Sequence, residues 1–179
     1  MEFKNCSELE LWEYVCSRLK ENGINTVLVG GAVAAIYSKG AYKSGDLDIV
    51  INSVIIDDKK VSQSMANLGF SKSGRHWIHP DCKHLYIEFI RPPIAIGDDY
   101  RINPVKRIVD NKEISILSAE DCVRDRLSSY VYFKAAECFD QAVLVAREQK
   151  IDIGKIEDWA KNEGIEMVNA IIKLKENVG

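Results

Sequence analysis

The stretch that decides the fold reads Leu28-Val-Gly-Gly-Ala-Val-Ala-Ala-Ile36 and, after a polar loop, Ser44-Gly-Asp-Leu-Asp-Ile-Val50. Residues 24–29 are β-branched and nearly all apolar, which is typical of a strand buried on both faces. The glycine pair ends this strand, and the Ala-rich residues 32–37 predict a short buried helix. A second strand is predicted over 46–51, so the order is strand, glycine turn, helix, loop and strand.

Regular patterns continue on both sides of this stretch. A capping box from Ser7 to Glu10 predicts a helix over 7–22, and the periodicity becomes helical again from Ser118. We therefore expect an α/β (α+β) fold in which a mixed core, 1–117, is followed by a helical segment, 118–179, packed on it. The other predicted elements are a helix at 57–68, a hairpin within 70–79, strands at 84–90, 105–109 and 113–117, and helices at 119–133, 136–149, 153–162 and 165–176.

The composition is that of an ordinary globular protein, with 179 residues of which 46% are apolar and 28% are charged. A chain of this size buries roughly 70% of its unfolded surface, enough for one core without disulfides. The net charge of −3 gives no indication of sequence-independent binding to nucleic acid.

The sequence carries no sign of export or membrane insertion. Its first residues are too acidic and polar for a signal peptide, and no apolar run approaches about 18 residues. The five cysteines are widely spaced without a Cys-x-x-Cys pair, which indicates reduced thiols. We therefore expect a cytoplasmic protein with no membrane partner.

Three acidic residues are the candidate catalytic and metal-binding groups. Side chains alternate along a strand, so Asp46 and Asp48 share one face while Leu47 enters the core. Two carboxylates held side by side repel each other, and a divalent cation between them relieves that repulsion. Glu88, within an otherwise apolar strand, needs a partner of its own. If its strand lies beside that of the aspartates, Glu88 completes a three-carboxylate site able to hold two metal ions.

The glycine pair supplies the second half of the predicted site. Without a Cβ, Gly30 and Gly31 let a phosphate approach the backbone closely at the start of the following helix. Lys43 and Ser44, in the loop that leads to the aspartates, are further candidates to bind phosphates. An ordinary solvated loop explains these two residues equally well.

These residues resemble the signature of the DNA polymerase beta-type nucleotidyltransferase superfamily, in its small stand-alone members, including toxin–antitoxin and antibiotic-modifying relatives. In that superfamily a Gly-Gly or Gly-Ser turn holds the triphosphate, an Asp-x-Asp pair binds two Mg²⁺ ions, and a third acid lies on an adjacent strand. The resemblance covers about residues 25–90. It identifies the turn with Gly30 and Gly31, the pair with Asp46 and Asp48, and the third acid with Glu88. It also implies a nucleotidyltransferase-like mixed sheet flanked by helices.

The function that the resemblance implies is Mg²⁺-dependent transfer of a nucleoside monophosphate from a nucleoside triphosphate to an acceptor hydroxyl. ATP is the expected triphosphate, and the acceptor is a small molecule, a protein side chain or an RNA end. The third acid is Glu88 where Asp is commoner, and the gap from Gly31 to Asp46 is somewhat long. Because either departure is compatible with a degenerate site, an alternative stays open, a catalytically inactive binding or regulatory module with a protein partner of antitoxin type.

Two further features are weighed against ordinary structural roles. His76, His79, Cys82 and His84 form a cluster that suggests a zinc-binding structural domain, although their spacing matches no closed zinc module. Arg124 and Arg126 are two apart on a predicted helix, so only one of them can face the cleft. Both are expected to be surface or ion-pairing residues.

Overall fold

The computed structural model describes residues 1–53 and 55–178, so Val54 and Gly179, the end of the predicted helical segment, lie outside the described residues. The described residues form helices α1 (Glu8–Glu21), α2 (Gly31–Tyr37), α3 (Asp58–Asn67), α4 (Ala119–Tyr132), α5 (Ala136–Glu148), α6 (Ile153–Glu163) and α7 (Ile165–Val178). Their strands are β1 (Thr26–Val29), β2 (Asp46–Ile51), β3 (Ser71–Ser73), β4 (His76–His79), β5 (Cys82–Ile90), β6 (Val105–Val109) and β7 (Lys112–Ile116). The predicted elements are all present, with ends displaced by two residues or fewer. The expected mixed α/β class is thus confirmed.

The strands form one mixed sheet of seven, in the order β3-β4-β5-β2-β1-β7-β6 across the described residues. β2 is central, antiparallel to β1 and parallel to β5. Asp48 on β2 lies opposite Val29 on β1 and Glu88 on β5. Residues directly opposite each other on paired strands project from the same face of the sheet.

Helix α2 connects the sheet to the helical segment. It contacts β1 and β2 on one side and α4 and α5 on the other. Its residues Ala32, Val33, Ala34 and Ala35 are all buried, as expected for a helix that is surrounded by protein. The small alanine side chains let the neighbouring elements approach its backbone closely.

The sheet and the helical segment share one hydrophobic core. Leu28 and Leu47 from the strands belong to the same buried cluster as Leu127 of α4 and Leu174 of α7. α1 packs across the sheet against β1, β2 and β7. No helix among the described residues combines the length and apolar character needed to cross a membrane.

The helix and hairpin ends follow local sequence signals. The capping box is formed as expected: the Ser7 N–H donates to Glu10 Oε2 at 2.8 Å, and the Glu10 N–H donates to Ser7 Oγ at 3.3 Å. Asp110 and Asn111 have positive φ angles of 48° and 60° and make the tight turn between β6 and β7. These local contacts explain why the element boundaries could be read from the sequence.

Candidate active site

The three acidic residues lie on one face of the sheet. Asp46 and Asp48 alternate along β2 with Leu47 and Ile49, which are completely buried on the opposite face. Glu88 on β5 is in register with Asp48 and projects from the same face. The sheet therefore places the strand of Glu88 beside that of the two aspartates, as the prediction of a three-carboxylate site required.

The glycine turn lies directly against Asp48. Gly30 has φ 73° and ψ −154°, a region of backbone conformation that is essentially restricted to glycine. A Cβ placed on Gly30 would collide with Asp48 Oδ2. At Gly31 a Cβ would come within 3.1 Å of Ser44 Oγ. The absence of side chains at the turn is thus required by the site residues themselves.

Ser44 links three parts of the site. Its buried hydroxyl donates a hydrogen bond to Asp46 Oδ1 at 3.0 Å, and its backbone N–H donates to Glu8 Oε1 on α1 at 2.7 Å. In this conformation Ser44 positions Asp46, and any contact of Ser44 with phosphate stays a prediction. Its neighbour Lys43 is exposed and lines a groove together with residues 1–8.

The acids share an unfavourable electrostatic environment. Burial, and then the nearby carboxylates of Asp46 and Glu88, raise the pKa of Asp48 to about 6 from 3.8. Arg126 opposes this rise. The Asp46 carboxylate also raises the pKa of the neighbouring Tyr86. A cation close to Asp48 would relieve this concentration of negative charge.

Glu88 is engaged by the β3–β4 hairpin. Its Oε2 lies 3.1 Å from Arg75 Nε and 3.6 Å from His76 Nε2. The His76 ring also packs on Tyr86, with ring centroids 4.2 Å apart. The sequence analysis missed Arg75 because nothing in a hairpin sequence shows which strand end its side chain will reach.

The three carboxylates do not form a closed metal cage in this conformation. Among the described residues, the only group of three or more His, Cys, Asp or Glu side chains with ligand atoms all within 4.8 Å of one another is Cys6, Cys82 and His84. Asp46 and Asp48 are neighbours on one strand, whereas Glu88 is held by Arg75. A cation that bound Glu88 together with the aspartates would approach a carboxylate whose Oε2 is already paired with Arg75.

Arg126 is a cation of the site that the sequence analysis did not assign to it. It lies on α4 with a side chain only 12% exposed, and it pairs with Asp125 at 2.6 Å. Burial raises the pKa of both Asp48 and Tyr42, and the positive charge of Arg126 opposes this rise in each of them. The ion pairing was expected, but its location beside the acids depends on how α4 packs on the sheet.

Arg124 points elsewhere, as its spacing from Arg126 predicted. It pairs with Asp99 at 2.7 Å and with Asp121 at 2.9 Å, and it lies over the ring of Trp159. Like Arg126, its side chain is only 12% exposed. The expectation of surface or ion-pairing residues is thus met by ion pairs that are largely buried.

The histidine cluster does not assemble as the sequence suggested. His76 contacts Glu88, while the His79 ring stacks on Phe3 with a centroid separation of 3.7 Å. The pairing of β4 with β5 shifts register between Trp77 and His79, that is, between these two histidines. Only Cys82 and His84 of the predicted cluster come together, and their third neighbour is Cys6 from a distant part of the chain.

Known structures share this fold. No protein-family model matches the chain, and a search of curated proteins finds no significant sequence match. An antigenic nucleotidyltransferase-like protein from Paracoccidioides brasiliensis is similar in structure with a TM-score of 0.65 at 14% identity, covering 95% of this chain and 88% of that one. The antibiotic-resistance factor ANT(2'')-Ia, solved in solution, matches with a TM-score of 0.55 at 10% identity, covering 94% and 91% of the two chains.

A crystal structure of ANT(2'')-Ia in complex with adenylyl-2''-tobramycin is also similar, with a TM-score of 0.52 at 11% identity over 96% of this chain and 99% of the other. The chain therefore has the nucleotidyltransferase fold. At these identities the likeness concerns the path of the backbone, so the chemistry has to be argued from the residues of the site.

The contact between the glycine turn and Asp48 makes a first prediction. Gly30→Ala should lower the free energy of unfolding by about 2 kcal/mol or more, because it adds a collision to a strained φ. Gly40→Ala is the matched control, since Gly40 also has a positive φ but no atom within 4 Å of an added Cβ. Chemical denaturation measures both variants. An equal cost of Gly30→Ala in the wild-type and Asp48→Ala backgrounds would contradict the collision.

The raised pKa of Asp48 makes a second prediction. The contribution of the neutral carboxyl to stability is complete below pH 3.8 and is lost as the pH rises through about 6. Asp48→Asn should therefore raise the free energy of unfolding at neutral pH, on the order of 1–2 kcal/mol, with a smaller gain at acidic pH. Denaturation across this pH range checks it.

The matched control for the second prediction is Asp140→Asn, which removes an exposed carboxylate on α5. It should give no pH-dependent gain in stability, because its carboxylate is solvated in the folded and unfolded states alike. A loss of stability in Asp48→Asn at neutral pH would show that the carboxylate is stabilised by its surroundings.

Proposed function

We propose that this protein is a Mg²⁺-dependent nucleotidyltransferase, which transfers a nucleoside monophosphate from a nucleoside triphosphate, ATP above all, to an acceptor hydroxyl. The observation that carries the proposal is the position of Asp48, in contact with the Gly30 turn and in register with Glu88. The complex of ANT(2'')-Ia with an adenylylated small molecule supports AMP as the transferred group and a small molecule as the acceptor class.

The residues of the site fit divalent magnesium. Asp46 and Asp48 offer the hard oxygen ligands that Mg²⁺ prefers, and Mg²⁺ typically takes one or two carboxylates together with substrate phosphates. Burial, and then the carboxylates of Asp46 and Glu88, raise the pKa of Asp48, and a cation bound beside it would stabilise its charged form. Glu88 would be the third ligand once it leaves Arg75. When bound, two Mg²⁺ ions would neutralise the triphosphate and lower the pKa of the attacking hydroxyl.

The chain's own residues bind and orient the triphosphate. The turn of Gly30 and Gly31 leads into the start of α2, where backbone N–H groups are available to phosphate oxygens. Arg126, whose charge acts on Asp48, and Lys43, next to Ser44 in the chain, are the positive charges that we assign to the phosphates. Ser44 fixes the Asp46 carboxylate through its hydrogen bond of 3.0 Å, which keeps that ligand in place as the substrate enters.

The reaction is an in-line displacement at the α-phosphorus. The acceptor oxygen forms a new bond to phosphorus while the bond to the bridging oxygen of the β-phosphate breaks, and pyrophosphate leaves. Glu88 lies at the partly exposed rim of the site and accepts the proton of the attacking hydroxyl.

A second candidate function is favoured by the ion pair between Arg75 and Glu88. If Arg75 stays paired with Glu88 permanently, Glu88 cannot act as the third metal ligand, and the site binds a nucleotide without transferring it. The protein would then act as a binding or regulatory module, with a partner protein of the kind found in toxin–antitoxin pairs. Both candidates use the same turn and the same aspartates, so an activity measurement has to decide between them.

Transfer of label tests the enzymatic proposal. Nucleoside triphosphates labelled at the α-phosphate, incubated with Mg²⁺, the protein and cell extracts, should label an acceptor in the small-molecule, protein or RNA fraction. Asp46→Ala should reduce this labelling to background because it removes a metal ligand, and Asp140→Ala on the exposed face of α5 should not. Equal labelling by wild type and Asp46→Ala would refute the enzymatic proposal.

Arg75→Ala shows whether Arg75 competes with the cation for Glu88 or instead orients Glu88 towards the cation. If Arg75 competes with the cation for Glu88, its removal should strengthen Mg²⁺ binding by up to about fivefold, the upper range for an exposed ion pair. Isothermal titration with Mg²⁺ and a non-hydrolysable triphosphate measures the change. Lys72→Ala, an exposed cation on the same hairpin, is the control. Weaker binding in Arg75→Ala would mean that Arg75 orients Glu88.

A further inference from the structure

A second group of potential metal ligands lies at the opposite end of β5 from Glu88. It consists of Cys6, in the segment before α1, and Cys82 and His84, which begin β5. One ligand atom from each of the three lies within 4.8 Å of the other two, and within residues 1–53 and 55–178 no other group does so. The group shares no residue with the proposed nucleotide site.

The distance between the two sulfurs matches a tetrahedral zinc site. Cys6 Sγ and Cys82 Sγ are 3.7 Å apart. Two thiolates bound to one tetrahedral zinc at about 2.3 Å have a sulfur separation of about 3.8 Å. A disulfide would need about 2.05 Å, so these are two separate thiols. The pair is therefore already spaced as two zinc ligands are.

His84 has the second hydrogen bond that orients ligating histidines. Its Nε2 lies 2.8 Å from the backbone carbonyl of Cys6. A carbonyl oxygen only accepts, so the proton is on Nε2 and the lone pair is on Nδ1. Histidine ligands commonly use one ring nitrogen for the metal and donate from the other to a carbonyl or carboxylate.

The surroundings suit a site that is closed on one side. Both cysteines are buried, whereas His84 is exposed and lines, with Cys6, a groove of about 1230 Å³. The two thiols lie within hydrogen-bonding distance of each other, at 3.7 Å. A thiophilic cation that displaces the thiol protons gains two sulfur ligands and keeps one position open to the groove.

We propose that Cys6, Cys82 and His84 bind one Zn²⁺ ion, with a water molecule from the groove as the fourth ligand. The ion would tie the segment before α1 to the start of β5. Glu8 follows that segment directly and accepts a hydrogen bond from the Ser44 N–H at 2.7 Å. The zinc would thereby support the loop that leads to Asp46, a structural role that does not depend on nucleotidyl transfer.

Zinc binding to the purified full chain, without a histidine tag, tests the proposal. Competition against a chromogenic chelator should give one Zn²⁺ per chain with a Kd well below about 1 µM. Replacement by Co²⁺ should give the intense visible bands of a tetrahedral complex and thiolate charge-transfer absorption. Cys82→Ser and His84→Ala should each weaken binding at least about tenfold. Lys83→Ala, on the same strand, and Cys16→Ser, another buried thiol, should leave it unchanged.

The effect of Zn²⁺ on thermal unfolding provides a second measurement of zinc binding. Zn²⁺ should raise the Tm of wild type and of Lys83→Ala but not that of His84→Ala, which keeps the core intact because His84 is exposed. If Cys82→Ser fails to fold, His84→Ala and the cobalt spectrum of wild type still decide the matter. Failure of wild type to take up zinc, or unchanged affinity in His84→Ala, would overturn the proposal.

Discussion

The central position of β2 is the constraint on which the site depends. β2 pairs with β1 on one side and β5 on the other, and this places Asp48 beside both the glycine turn and Glu88. A shift of one residue in this register would bury the carboxylates and expose Leu47 and Ile49. The hydrophobic core on one face of β2 therefore fixes the position of the acids on the other face.

The charge of the site is only partly balanced by the protein. Arg126 from α4 and Arg75 from the hairpin approach the acids from two directions, and yet the pKa of Asp48 is still raised to about 6. An acidic group held in its less favourable form lowers stability, and such groups are concentrated at functional sites. This imbalance is the physical reason to expect a cation, although it does not by itself identify the reaction.

The two proposed metal sites occupy opposite ends of the same strand. Glu88 lies towards the end of β5, and Cys82 and His84 lie at its start, with Tyr86 between them. Hard oxygen ligands at one end suit magnesium, and sulfur and nitrogen ligands at the other suit zinc. The hydrogen bonds from Ser44 to Asp46 and to Glu8 connect the two regions through the loop before β2. A single strand could thus serve both structure and chemistry.

The sequence by itself determined the secondary structure, the candidate acids and the face that Asp46 and Asp48 share. Alternation along β2 and the capping signal at Ser7 are local features, and local periodicity decides them. The sequence also placed a boundary at 117/118 where the pattern becomes helical, although the two segments share one core.

Only the tertiary structure decided which distant side chains meet. Arg75 reaches Glu88 because the hairpin folds back along β5, and the charge of Arg126 acts on Asp48 because α4 packs on α2. The histidines that are close in sequence separate, whereas Cys6 meets Cys82 across 76 residues. Strand pairing and helix packing join residues that are far apart in the chain, so the spacing of residues in the sequence does not predict these contacts.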